Sequence, residues 1–455
     1  MHPSGALQLG SPQAVSASGR LQRVYDRFKL DPLLYALFAA MFTVVWRVQD
    51  FYGVFGVLHV GLLTPLAALV LFLVDRDRRR DLSAIRSPIA TLTVILLGLM
   101  CASVPFALYP GLAFRFVTQD YIPNFVVMVL IAASIRGTID AERFAFVQVL
   151  GCAMFCVIVI TRFKVGADGR LGDLAYYDAN DFAMLIVCTL PLAVFFARRP
   201  GKWHYRLLAI GAILLFMVGV VRSGSRGGFL GLIAVAGTLL LTFRAVSKKL
   251  RIGVVIALFA LLASTATDTY WGFIQTLAHP ESDYNWAGKS KEGRVEIWKR
   301  GLGYMAKRPL LGVGPQNFPQ AEGQLSEQAQ YAKTMGRGQF KWSAAHNSFV
   351  QIGAELGIFG LIALLTLLYK TFKTLNPITR AKGPPGDQAA ALAQVLRATM
   401  VGYIVTAFFL SQAYAAYLYI TLGIVMGLAK LHRPPAIRPQ IIGRRPSAAF
   451  GRPIA

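Results

Sequence analysis

A histidine and an asparagine, His346 and Asn347, stand together at the mouth of an apolar run, and Glu355 follows about two and a half helical turns inside it, in AHNSFVQIGAELGIFG at 345–360. Histidine is the side chain that exchanges a proton near neutral pH without help, which suits it to act as a general base. An ionisable residue at membrane depth is by default a functional candidate. Both residues also fit blander roles, a histidine satisfied by one hydrogen bond and a carboxylate tied to a neighbouring helix. Upstream, SGSRGGFLGL at 223–232 places Arg222 and Arg226 around a glycine-rich turn between two apolar runs. Glycine lets a backbone approach a ligand closely, and the planar guanidinium fork matches phosphate oxygens, so the pair suits a membrane-embedded diphosphate. The same arginines would also sit comfortably if they only snorkelled to lipid phosphates.

The elements that must position these groups are helices in a bilayer. Of 455 residues, 55% are apolar and only 15% charged, where a soluble chain carries about 25% charged residues. Apolar runs near 33–49, 52–74, 88–109, 121–135, 144–161, 181–197, 207–221, 228–243, 252–267, 347–369, 398–411 and 416–429 each approach the ~20 residues that cross a hydrocarbon core. The fold class expected is therefore all-α, a polytopic membrane protein of about twelve transmembrane helices. The divisions are a tail at 1–32, nine spans over 33–267, a long loop at 268–346, three spans over 347–430 and a basic, Pro-rich tail at 431–455.

The 47 Lys and Arg against 22 Asp and Glu give a net charge of +25, which in a soluble chain would suggest nucleic acid. Its distribution argues for topology instead. Thirty of the 47 fall on segments that share one side if the N-terminus is cytoplasmic, seven on the short loops opposite, and ten on the long loop. By the positive-inside rule, which exempts long translocated loops, both termini are cytoplasmic. The first 32 residues have no short apolar core with a small-residue cleavage site, so no removable signal peptide is expected. Cys101, Cys152, Cys156 and Cys188 all lie in apolar runs and read as packing residues.

The long loop is large enough to fold. Within it EGRVEIWKRGLGYMAKRP at 292–309 sets Val295, Trp298, Leu302 and Met305 at helical spacing, with Pro309 as the stop, so an amphipathic helix with a basic face is expected. Ten basic residues against six acidic ones between Asp268 and His346 favour anionic headgroups or phosphorylated substrates on that side.

Four pieces in order around this loop carry a resemblance. SRGGFLGL, the Gly293–Arg294 pair opening a helix with Ile297 and Trp298, RPLLGVGPQNF at 308–318 and AHNSFVQIGAELGIFG together resemble the O-antigen ligase and Wzy-type polymerase superfamily over roughly 205–365. YYDANDFAMLIV at 176–187, with Asn180 and Asp181, is similar to a helix entry of these proteins. The resemblance implies a helical membrane domain whose long periplasmic loop covers a lipid-facing cavity, in a bacterial inner membrane. It also implies glycan transfer from undecaprenyl diphosphate to an acceptor hydroxyl. His346 then becomes the base, and Arg222, Arg226 and Arg294 become ligands of the diphosphate. Arg47, at the outer end of the first span, joins them on placement alone, and Asn347, Glu355, Asn180 and Asp181 would support the site.

Because diphosphate is already a good leaving group, neither metal nor cofactor is expected. The Asp-x-Asp at Asp75 and Asp77 falls in the Arg-rich turn on the cytoplasmic side and reads as a solvated loop. Within the superfamily, the second-longest outer loop, 162–180, is short, which favours a ligase acting on lipid A-core. A polysaccharide polymerase and a protein O-oligosaccharyltransferase are the alternatives. A non-enzymatic lipid or glycan transporter would need polar residues through the bilayer centre, and most spans have none. The partners expected are the lipid-linked glycan donor, the lipid A-core acceptor and membrane lipids, with no nucleic acid.

Overall fold

The computed structural model describes residues 31–166, 171–172, 174, 176–199, 201, 203–279, 293–335, 342–380 and 387–432. The tails expected at 1–32 and 431–455 lie almost wholly outside the described residues, as do 280–292 and 336–341 of the long loop. Among the described residues the chain is helical, with one isolated bridge between Val165 and Leu171. In chain order the helices are α1 (Pro32–Val44), α2 (Gly53–Val57), α3 (Val60–Val74), α4 (Pro88–Ser103), α5 (Pro110–Phe116), α6 (Ile122–Ser134), α7 (Thr138–Arg162), α8 (Ala179–Ala197), α9 (Trp203–Ser223) and α10 (Arg226–Thr242). They continue with α11 (Lys248–Thr265), α12 (Asp268–Gln275), α13 (Arg294–Lys307), α14 (Phe318–Leu325), α15 (Glu327–Thr334), α16 (Ser348–Arg380), α17 (Gln388–Ala407) and α18 (Ala416–Leu431).

Seven of the described helical stretches are long and apolar enough to cross a membrane, and α11 with α12, bent by 116°, makes an eighth if the pair counts as one span. Four shorter apolar helices, α1, α3, α10 and α18, lie among them. This is a membrane protein. Its starts are written locally: Asp31, Ser87, Ser225 and Asp387 each cap the helix that follows through a side-chain oxygen, which satisfies N–H groups that would otherwise be orphaned in lipid. The most enclosed of the seven long apolar stretches is α8, which packs against α7, α9, α10 and α17. Gly231 of α10 allows one of these approaches, since a Cβ there would sit 3.1 Å from Val187 Cγ1 of α8 and 2.5 Å from Thr406 Cγ2 of α17. Small residues at such crossings are how lipid-embedded helices pack.

Several boundaries differ from the sequence reading, each for a physical reason. The run expected at 121–135 starts at Pro110 and passes through a π-helical turn at Val117–Tyr121. The run expected at 398–411 begins at Gln388 and stops at Ala407, leaving 408–415 non-helical. Its early turns are Ala-rich and carry Gln394, whose side chain accepts the Arg244 N–H at 2.8 Å, so a purely apolar criterion misses them. The run expected at 347–369 extends to Arg380 and is broken at Gly357, where φ is +71°.

The amphipathic helix of the loop forms as α13, but its buried ridge is Ile297, Gly301 and Tyr304, while Leu302 is 49% exposed. Gly301 decides this, because a Cβ there would lie 2.4 Å from Val350 Cγ1. The Asp-x-Asp turn is not simply solvated. Arg80 pairs with both Asp31 and Asp75, Arg79 with Asp77, and Arg136 with Asp31, Asp77 and Asp140. This network ties the start of α1 to the α3–α4 connection and the α6–α7 corner, on the face opposite α13–α15. A hydrogen bond from Arg79 is the main reason the Asp77 carboxyl is held well below the usual carboxylate range.

Candidate functional site

The site is built around residues 408–415, the connection between α17 and α18. Its backbone lacks helical partners, and the first turn of α16 supplies them. Ser348 Oγ donates to the Leu410 carbonyl at 2.7 Å and accepts from the Gln412 N–H at 2.9 Å, while Gln351 Oε1 accepts from the Ala413 N–H at 3.3 Å. Asn347 caps that same turn, its Oδ1 accepting from Phe349 and Val350 at 2.9 and 3.1 Å. To enter this cap the chain passes through His346 at φ +47°, and the His346 N–H donates to Ser411 Oγ at 2.8 Å.

Other helix starts meet the same segment. In α13, Trp298 Nε1 donates to the Ala345 carbonyl at 3.0 Å and its ring packs edge-on to Phe408 at 5.2 Å. Arg294 lies one turn before Trp298, so both occupy the same side of that helix. At the start of α10, a Cβ on Gly227 would meet Phe409 Cβ at 3.1 Å, which brings the first turn of that helix, begun by Arg226, against the same segment. At the start of α8, Asp178 and Asp181 form a reciprocal capping box, and Asp181 also takes a hydrogen bond from the Gln412 side chain. Four helices, α8, α10, α13 and α16, thus begin around 408–412. Helix N-termini present unsatisfied N–H groups and a partial positive charge, an arrangement suited to an anion. The acidic box on α8 offsets its share.

Next to this junction lies a cavity of about 900 Å³, walled by the end of α1, the starts of α2 and α3, the π-helical turn, Tyr176, Tyr177, Gln316 and residues 411–416. Among the described residues, four non-glycine residues have positive φ: Arg47 (+46°), His59 (+47°), Gln316 (+58°) and His346. The first three line the cavity, and the fourth is bonded to Ser411 in its wall. Left-handed backbone costs an L-residue of order 1–3 kcal/mol, and such strain clusters at functional sites. Arg47 Nε donates to Asp50 at 2.6 Å, and its guanidinium carbon lies 3.8 Å over the Tyr176 ring.

The sequence-derived candidates separate accordingly. His346, Asn347, Asp181, Arg226 and Arg294 belong to elements that converge on 408–412, and Arg47 lines the adjoining cavity. Asn180 is within the α8 cap, its Nδ2 donating to Asp178 at 3.4 Å. Arg222 is turned toward α7, donating to the Ile160 carbonyl at 2.9 Å, and Arg226 donates to Thr276 Oγ1 at 2.7 Å. Glu355 is fully buried and accepts from the Phe318 N–H at 3.2 Å, so it organises the start of α14 and is absent from the cavity lining.

The GVG piece is a docking turn. Val313 and Gly314 donate to the Ala354 and Glu355 carbonyls at 2.9 and 3.0 Å, and Ile358 donates to the Pro309 carbonyl at 2.8 Å. Two of the motifs are therefore one structural unit, a turn that pairs the rungs broken at Gly357. The loop helices hold together through Glu322, which accepts from Arg300 Nε at 2.9 Å and Tyr304 OH at 2.7 Å while wholly buried. Burial, and the Glu322 carboxylate beside it, push the Tyr304 phenol far up, so it remains a neutral donor.

Sequence reasoning missed Ser411, Gln412, Gln316, His59 and Asp120. The polar interruption SQ between two apolar runs was a signal for the first two. The positive φ of His59 and Gln316 has no signature in residue type, and Asp120 stood just outside the run assigned to its span.

Residues 210–365 match the family model described as O-antigen ligase, a stretch that takes in α10, α13, the docking turn and the start of α16. An uncharacterized protein of Haemophilus influenzae is 24% identical over 235 residues, 49% of this chain and 57% of that protein. The chain thus spans little more than half the length of that relative. Members of the matched family are glycan-transferring enzymes, and the junction of His346 with the starts of α10 and α13 falls within or against the matched stretch. Over residues 210–365 the chain is thus similar to the O-antigen ligase family, which supports a place in that superfamily.

Proposed function

We propose that this protein is an O-antigen ligase, moving a glycan from undecaprenyl diphosphate to a hydroxyl of lipid A-core. The observation that carries the reading is the convergence of His346 with the starts of α10, α13 and α16 on residues 408–412. In the proposed step the acceptor oxygen attacks the anomeric carbon and the bond from that carbon to the diphosphate oxygen breaks. The hydroxyl proton passes to the His346 imidazole, and the charge appearing on the diphosphate is held by Arg226, Arg294 and the helix N-termini. Arg222 supports from behind by fixing α9 to α7. No metal or cofactor enters the step.

In the membrane, the eight long spans and four shorter apolar helices make twelve passes in this reading. The termini are cytoplasmic, and 268–346 is on the periplasmic side of an inner membrane. Reconstitution with a lipid-linked glycan and, separately, lipid A-core, a glycan acceptor and a protein acceptor tests the proposal, with chelator in a parallel sample. Mass gained by lipid A-core supports the ligase. Mass gained by the glycan or the protein moves the chain to the polymerase or protein-modifying alternative, and glycan crossing the bilayer without transfer makes it a transporter.

A further inference from the structure

We infer that the 900 Å³ cavity beside the junction holds the hydroxyls of a sugar, leaving the diphosphate to the other side of the 408–415 connection. This rests on the reading of the protein as a glycan transferase and adds what the cavity itself binds. The first argument is charge. Arg47 and Asp120 are the oppositely charged groups in the lining, and Arg47 is already paired with Asp50. Among the Arg, Lys, Asp and Glu residues of the lining the charges therefore balance. A diphosphate placed there would meet the Asp120 carboxylate with no surplus cation to offset it, and like charges at close range disfavour each other strongly.

The second argument is the donor and acceptor set. The lining holds the side-chain amides of Gln49, Gln119, Asn124, Gln316 and Gln412. An amide offers donors and acceptors together, as a sugar hydroxyl does, and a carboxylate can accept from two neighbouring hydroxyls at once. Gln49 Nε2 is engaged with the Thr43 carbonyl at 2.9 Å, yet its buried Oε1 has no partner. Asp120 has no hydrogen-bond partner among the described residues and sits on the π-helical turn, a feature often found at functional sites. The volume lies at the upper end of ligand cavities, enough for more than one sugar ring. The other cationic candidates lie elsewhere: Arg226 and Arg294 are absent from the lining, and their helices meet Phe408 and Phe409.

The test uses the full chain in nanodiscs, titrated with three soluble probes: core oligosaccharide freed of lipid A, repeat-unit oligosaccharide freed of its carrier, and inorganic diphosphate. An oligosaccharide is expected to bind the native protein, and Asp120→Asn is expected to weaken it by about tenfold, the scale of a lost hydrogen bond to a charged group. Diphosphate affinity should stay within about twofold. Which oligosaccharide binds tells whether the sugar is that of acceptor or donor. Diphosphate binding that tightens in Asp120→Asn would overturn the inference, because removing a negative charge helps an anion only where the anion is near. Failure of both oligosaccharides to bind, or binding indifferent to Asp120→Asn in a variant with native thermal stability, would overturn it too. Transfer activity in His346 variants is read separately, so the enzyme reading and the cavity assignment fail independently.

Discussion

The backbone N–H of His346 is held 2.8 Å from Ser411 Oγ while His346 itself is locked in left-handed backbone. The backbone of His346 is thereby fixed to the connection on which α10 and α13 also rest. A base poised by its backbone can be tested without disturbing the backbone, because asparagine tolerates that conformation better than most residues. His346→Asn should fold and bind donor lipid, yet transfer should drop by about 10²- to 10⁴-fold. Donor binding lost in proportion to turnover would make His346 a phosphate ligand instead of the base.

Arg226 and Arg294 belong to the first turns of α10 and α13, which meet Phe409 and Phe408 through Gly227 and Trp298. If they stabilise the leaving diphosphate, alanine at either should cost about 3 kcal/mol, roughly a hundredfold in rate. Lysine should retain part of the activity, since it keeps charge and loses the fork. Arg222→Ala, by contrast, should lower thermal stability through its lost bond to the Ile160 carbonyl. Full turnover in the Arg226 and Arg294 alanine variants would leave both as lipid-anchoring residues.

Topology is a separate matter of charge placement. Reporters fused after residue 205 and after residue 385 should read cytoplasmic, and one within 310–335 periplasmic. A cytoplasmic signal from 310–335 would put His346 out of reach of a periplasmic acceptor and sink the mechanism.

Gly357 breaks α16 at φ +71°, and a Cβ there would lie 2.2 Å from the Pro309 carbonyl oxygen. Gly357→Ala is expected to destabilise by about 2 kcal/mol or more, combining backbone strain with the clash. Thermal unfolding in detergent reads this directly. An unchanged midpoint would mean the 309–314 turn is not docked as described.

On the opposite face, Asp77 is held below the usual carboxylate range chiefly by Arg79, with Arg136 also donating to it. A depressed carboxyl stabilises the fold above its unfolded value, about 3.9 for aspartate, and that contribution disappears as pH falls through the folded value. Stability should therefore decline below about pH 4, and Asp77→Asn should flatten that part of the profile. A variant with the native acid profile would show that Asp77 carries none of it.

Much of this protein is fixed by local composition. Long apolar runs make helices in a bilayer because no other open structure satisfies the backbone there, and Asp31, Ser87 and Ser225 start helices through their own side chains. His346, Arg226 and Arg294 stood out because their types and spacing are unusual at a membrane boundary. Tertiary structure decided what depends on contacts between distant segments. Whether Ile297 or Leu302 faces inward is set by Gly301 meeting Val350, and Glu355 organises α14 because Phe318 lies beside it. Asp120 and Arg47, far apart in sequence, share a cavity only because α1 packs against α6, which the π-helical turn leads into. Residue type reports what a side chain can do, whereas which groups meet is settled by the packing of helices whose partners are far along the chain.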